Sequence, residues 1–309
     1  MKAAVLDLGT NTFNLLVGES NSNGSYHILH SSKFPVKLGE GGINKGEIIP
    51  AAYNRGINAI AEHYKTLQKF QPEKIKAYGT SAFRTAKNGT NFVSDVKSMT
   101  GIDIETITGD QEAEFIYYGV KQTYISDSGK YLILDIGGGS NEFIIADNSR
   151  YYWKKSYRLG IARLIEKFHP SNPLTNEQLY AINEYLTFEL SDLSSIVAEH
   201  NISTLVGASG AFETFVSMIH ELENFETQTG MFPESVYISD SDFNILYNKL
   251  ISSTSEERRV MKGLEPMRIE MIVLAIHFVK FVTESLNIKK IVQSNFSLKE
   301  GAILNLLNL

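Results

Sequence analysis

Residues 6–17 read LDLGTNTFNLLV and residues 134–146 read LDIGGGSNEFIIA. Each stretch is an apolar run that ends on an aspartate, turns through glycine and restarts as a second apolar run. Asp7 matches Asp135, Gly9 matches Gly137, and Thr12 and Ser140 each follow their aspartate by five positions. A chain that makes this unusual turn twice is constrained to two related halves, each opening on strand, turn, strand. Glycine lets the backbone adopt unusual dihedrals and approach a ligand closely, and successive N–H groups form an anion-binding nest. Candidate phosphate-binding residues are therefore Gly9, Thr10, Asn11 and Thr12 in the first turn. Those of the second are Gly137, Gly138, Gly139, Ser140 and Asn141. The aspartates stand where a divalent cation could bridge carboxylate and phosphate oxygens. Taken singly, either turn is equally a tight β-hairpin; the repetition favours the phosphate reading.

Strand and helix signals alternate through the first half. AAVLDLG is a buried strand, FNLLVGES a second, and YHILHSSKFPVKLG a third. Pro50 opens a helix on which Ile57, Ile60, Ala61, Tyr64 and Leu67 recur at helical spacing. KIKAYGTSA and IDIETIT read as strands, each followed by a helix. In the second half Thr175 and Gln178 form a capping box for one long helix carrying Leu179, Ile182, Leu186, Leu190, Leu193 and Val197. Residues 240–287 read as helical, and KIVQSNFSLKEGAILNLL as a last strand and helix. Alternating strands and helices specify an α/β architecture. The repeat alone places a boundary near residue 125.

The net charge of −6 argues against a general nucleic-acid binder. With no cysteine, neither a disulfide nor a thiolate site is available. The N-terminus lacks the apolar region of a signal peptide, and the most apolar helix (271–282) is broken by His277 and Lys280. A cytoplasmic protein without a membrane partner is the expectation.

Three further stretches carry chemistry. TGDQEAEF (108–115) sets Asp110, Glu112 and Glu114 at a helix start, where they either complement the helix dipole or present a general base to water. GTSAFRTAKNG (79–89) brings Ser81 and Arg84 to a strand-ending turn, suited to clamping phosphate oxygens or to simple solvation. GASGA (207–211) is a small-residue turn after a strand. Apart from a lone H-x-x-H at His27 and His30, the histidines form no compact metal-ligand spacing.

In family order and over nearly the whole chain, eight motifs resemble the Ppx/GppA family of exopolyphosphatases and guanosine pentaphosphate phosphohydrolases. They are AAVLDLGTNTFNLLV, VKLGEG, GTSAFRTAKNG, GIDIETITGDQEAEFIYYGV, LDIGGGSNEF, YRLGIARLIEKF, GASGAFETF and SLKEGAI. The resemblance implies an actin-like ATPase fold of two ribonuclease-H-like domains, 1–125 and 126–297, with the active site in the cleft between them. The helix at about 298–309 would return to pack on the first domain. Longer relatives carry extra C-terminal helical domains, with which this sequence ends before any match. The implied activity is release of terminal phosphate from inorganic polyphosphate, or of the 5′-phosphate of pppGpp, with Mg²⁺. Glu112 would activate the water, Arg84 would hold phosphate oxygens, and Asp135, Glu142 and Asp7 would hold the metal. A homodimer is the assembly the resemblance allows.

The sequence departs from the family at Asn14, where Arg or Lys is usual, and at Asn141, where Thr is usual. Further departures are GASGA, Asn295, Ser297 and RIE (268–270). They leave two rival readings, a polyphosphate or pppGpp binder that has lost catalytic power and an actin-like small-molecule kinase.

Overall fold

The computed structural model describes residues 1–22, 24–127, 129–222 and 235–309. The apolar run that closes on Asp7 is β1 (Lys2–Leu8), followed by β2 (Thr12–Ser20), β3 (Tyr26–Pro35), α1 (Pro50–Phe70) and β4 (Lys74–Gly79). The first half continues with α2 (Ser81–Thr85), α3 (Gly89–Thr100), β5 (Ile104–Thr106) and α4 (Gly109–Val120). After it come β6 (Tyr131–Ile136), β7 (Asn141–Ala146), β8 (Tyr151–Tyr157), α5 (Ile161–Phe168), α6 (Asn176–Glu189) and α7 (Ser191–Glu199). The remainder is β9 (Thr204–Ala208), α8 (Gly210–Leu222), β10 (Ser235–Ile238), α9 (Asp240–Ile251), α10 (Ser255–Arg259), α11 (Ile272–Ser285), β11 (Lys290–Ser294) and α12 (Leu298–Leu307).

Two mixed sheets repeat one plan. The first has the order β3-β2-β1-β4-β5 and the second β10-β11-β9-β6-β7-β8. In each, the strand carrying the aspartate pairs antiparallel with its hairpin partner and parallel with the strand that follows a helical crossover. The registers coincide as well: Asp7 lies opposite Asn14, and Asp135 opposite Glu142. Strand β10 is the extra member, added antiparallel at the edge of the second sheet. This is the expected α/β plan of two ribonuclease-H-like units.

Several elements differ from their sequence expectations. The third strand stops at Pro35, and the chain from 36 to 49 folds as a loop that returns to the cleft. The capping box at Thr175 and Gln178 forms, but the long helix breaks at Leu190 (φ −103°, ψ 16°). Leu190 stays buried at the break, so the apolar periodicity runs on unbroken while the backbone does not. Residues 240–287 hold α9, α10 and α11 with a 3₁₀ turn at Pro266–Arg268, and β10 is a strand that the sequence reading did not assign.

One apolar core lies between the first sheet and α1 and α3, and another lies under the second sheet with α5 to α9 and α11. A third joins both sheets through α4 and α12. Helix α4 packs on β7 and β8 of the second sheet, whereas α12 packs on β1 and β2 of the first. The two helices also cross each other at backbone contact. A Cβ on Gly301 would stand 1.8 Å from the carbonyl oxygen of Phe115, and one on Gly119 2.0 Å from that of Ser297. Only glycine permits this approach.

Candidate active site

The two repeated turns face one another across a cavity of about 330 Å³. Each is closed by the same backbone hydrogen bond, Gly9 N–H to Thr12 O (2.9 Å) and Gly137 N–H to Ser140 O (3.1 Å). Their mutual approach depends on glycine. A Cβ at position 138 would meet Asn11 Nδ2 at 2.4 Å, and one at 139 would meet Thr10 Oγ1 at 2.5 Å and Ser81 Oγ at 2.6 Å. Gly9, Thr10, Asn11, Thr12, Ser81, Gly137, Gly138, Gly139 and Ser140 all line the cavity. The Thr10 hydroxyl is buried there with no hydrogen-bond partner. An orphaned buried hydroxyl costs stability unless a ligand or water satisfies it.

Helix α4 starts on a full capping box between Thr108 and Gln111, which fixes the first turn and points Glu112 inward. Asp110 remains exposed and Glu114 pairs with Lys154, so of the three acids only Glu112 lines the cavity. Arg84, carried by α2, sits behind the cavity wall rather than in it. Its Nη1 donates to Glu112 Oε2 at 2.6 Å and to Ile107 O at 3.0 Å, and its Nη2 to Ser140 Oγ at 3.2 Å. Burial raises the Glu112 carboxyl to about 7, although the Arg84 guanidinium pulls it down. A carboxyl tuned to neutrality and facing a cavity suits proton transfer near physiological pH.

Asp7 and Asp135 line the cavity from opposite halves. Burial raises Asp7 to about 6, against a hydrogen bond from Asn14 Nδ2 at 2.9 Å. Burial likewise raises Asp135, whose Oδ2 accepts from Ser297 Oγ. Glu142 departs from the expectation. It is 1% exposed, its Oε1 accepts from Ser156 Oγ at 2.6 Å, and it does not reach the cavity. Burial, followed by the charges of Glu112 and Asp135, holds its carboxyl well above the ordinary range. No three His, Asp or Glu side chains among the described residues are grouped as metal ligands, so the expected trio does not assemble. Asn141 departs too. Alternation along β7 turns its side chain away from the cavity, where its Nδ2 donates to Leu159 O at 3.0 Å.

The sequence reading gave no role to Lys299 or Glu213, which also line the cavity. The Lys299 ammonium pairs with Glu300 Oε1 at 2.7 Å. Burial opposes its charge, but Glu300, Glu213 and Asp7 together raise it. Its signal lay in the quoted SLKEGAI, as the one cation at the head of the last helix. At the mouth, Glu265 accepts from Lys33 (2.5 Å) and Arg268 (3.0 Å), tying the first sheet to the second half. The cavity thus combines two phosphate-type turns with Asp7, Glu112, Asp135 and Glu213. An anion would enter such a site more readily with a cation. Two carboxylates beside a phosphate are the protein contribution that Mg²⁺ usually takes, the rest being water. Asp7 and Asp135 fit that role; Glu142, turned to Ser156, does not.

The profile of the Ppx/GppA phosphatase family matches residues 17–309. The chain is a member of the Ppx/GppA phosphatase family. Among Ppx/GppA relatives of known structure, an exopolyphosphatase from Cytophaga hutchinsonii superposes with a TM-score of 0.95 at 33% identity, over 100% of this chain and 98% of the other. Exopolyphosphatase 1 of Mycobacterium bovis is 26% identical over 308 residues, covering 100% of this chain and 89% of its own length. The guanosine-5′-triphosphate,3′-diphosphate pyrophosphatase of Photobacterium profundum is 27% identical over 305 residues, which is 99% of this chain and 59% of that protein. Like other Ppx/GppA members, the chain has the two-domain actin-like fold and is a hydrolase of phosphoanhydride bonds.

Proposed function

We propose that this Ppx/GppA protein releases terminal phosphate from inorganic polyphosphate, or the 5′-terminal phosphate of pppGpp, in the cytoplasm. The observation that carries the reading is Glu112. It is a buried carboxyl raised to about 7, tied through Arg84 to Ser140 of the second phosphate turn. In this reading the N–H groups of 10–12 and 138–140 and the hydroxyls of Thr10, Ser81 and Ser140 bind the terminal phosphate. Glu112 orients a water and takes its proton as the oxygen attacks phosphorus. The bond from phosphorus to the bridging oxygen breaks, giving orthophosphate and a chain shorter by one phosphate. Phosphoryl transfer asks mainly for positioning and charge neutralisation. A divalent cation, general to the family and here proposed as Mg²⁺ on Asp7 and Asp135, would supply that neutralisation. Among the described residues, no helix is long and apolar enough to cross a membrane.

The test is phosphate release from long-chain polyphosphate and from pppGpp, with Mg²⁺ and no acceptor, by wild type and Glu112→Gln. Release by wild type alone supports the hydrolase. Tight binding without release would support the binder, and release dependent on an added acceptor the kinase.

A further inference from the structure

Arg163 is 5% exposed, and among the described residues no carboxylate is hydrogen-bonded to its guanidinium. Instead the fork spends its donors on three segments of chain. Nε donates to Gly139 O in the second phosphate turn at 2.7 Å. Nη1 donates to Ile43 O at 2.9 Å and Asn44 Oδ1 at 3.3 Å, both in the loop after β3. Nη2 donates to Thr85 Oγ1 at 3.3 Å, and that hydroxyl donates on to Ser81 O, behind the cavity wall. The contact is returned from the other side, since Asn44 Nδ2 donates to Arg163 O (3.2 Å) and Asn44 N–H to Glu166 Oε2 (2.7 Å).

The backbone of the same segment seats the turn. Ile161 N–H donates to Gly137 O at 3.0 Å and Ala162 N–H to Gly138 O at 2.9 Å. Residues 161–163 therefore take three carbonyls of the turn, while Gly137 N–H closes it on Ser140 O and Gly138 and Gly139 line the cavity. Of these three contacts only the one from Arg163 also reaches the first half of the chain.

We infer that Arg163 is a positioning residue for the reaction, which fixes the second phosphate turn against Ser81 and the 43–44 loop. Burial opposes the Arg163 charge, the nearby Glu166 favours it, and no carboxylate among the described residues hydrogen-bonds it, so the cation is expensive to hold. Lysine would keep the charge but has no planar fork to satisfy three segments at once. The inference rests on the proposed hydrolysis for its kinetic consequence, and on geometry alone for its structural one.

Hydrogen exchange and kinetics of Arg163→Ala and Arg163→Lys test it. In Arg163→Ala the amides of 137–140 and 43–44 exchange faster while those of β1 and β6 are unchanged. kcat for phosphate release falls by about 100-fold, the scale of a reacting group misplaced by an ångström, while KM moves much less. Arg163→Lys falls between the two, and it carries the test should the alanine variant not fold. Unchanged exchange at 137–140, or a uniform rise across both sheets, overturns the inference. So does a loss that lies in KM alone. A wild type that releases no phosphate would sink the functional reading, and the exchange pattern would still decide this one.

Discussion

Arg84 stands between Glu112 and Ser140, with one guanidinium nitrogen 2.6 Å from the carboxylate and the other 3.2 Å from the hydroxyl of the second phosphate turn. Burial raises Glu112 to about 7 and Arg84 opposes that rise. A base works only when ionised, so kcat/KM should climb as pH rises through about 7. In Arg84→Met the cation that favours the charged form is gone, and the acid limb moves to higher pH. A pH profile of kcat/KM for both proteins checks this. An unmoved limb would mean that another group controls it.

Glu112→Gln keeps the size of the side chain and removes the base. Loss of a general base is worth about 10²- to 10⁴-fold in rate. The expected result is a fall in kcat of that order with KM little altered, read from phosphate release at saturating polyphosphate. A variant as fast as wild type would remove Glu112 from the mechanism.

Gly139→Ala puts a methyl group 2.5 Å from Thr10 Oγ1 and 2.6 Å from Ser81 Oγ, in the space between the turns. Polyphosphate binding, measured by calorimetry in the Glu112→Gln background so that no turnover intervenes, should weaken at least about tenfold, or 1.4 kcal/mol. Equal affinity would argue that the ligand does not sit there.

Chelation of divalent cations should abolish phosphate release, and Mg²⁺ should restore it. Mg²⁺ should also raise the melting temperature of the free protein, since a ligand that binds only the folded state stabilises it. Asp135→Asn and Asp7→Asn should each shrink that rise, while Glu142→Gln, buried behind Ser156, should shrink it less. A rise equally large in all three would place the cation elsewhere.

Much of the site was legible in the sequence because it is local. Asp, glycine and hydroxyl spacing specify a turn within a few residues, and the repeat announced that there are two. The acidic run 108–115 marked the start of α4, but which of its acids faces the cavity was fixed by the Thr108–Gln111 capping box that the structure shows. What sequence could not supply was the side of the strand. Asn141 falls inside the motif, yet the pleat turns its side chain away to Leu159, while Glu142, on the face of the sheet that carries Asp135, is held by Ser156. Lys299 and Arg163 failed to announce themselves for the opposite reason. Their roles come from partners far along the chain, Asp7 for one and Ile43 for the other.

The crossing of α4 and α12 at Gly119 and Gly301 has a consequence for the order in which the enzyme matures. The apolar face of α4, Ala113, Ile116, Tyr117 and Val120, is buried together with Leu298, Ala302, Ile303 and Leu307. A chain emerging from the ribosome therefore holds both phosphate turns and its base long before residues 298–307 arrive to cover the base's helix. Removal of residues 298–307 would therefore uncover the apolar face of the helix that carries Glu112.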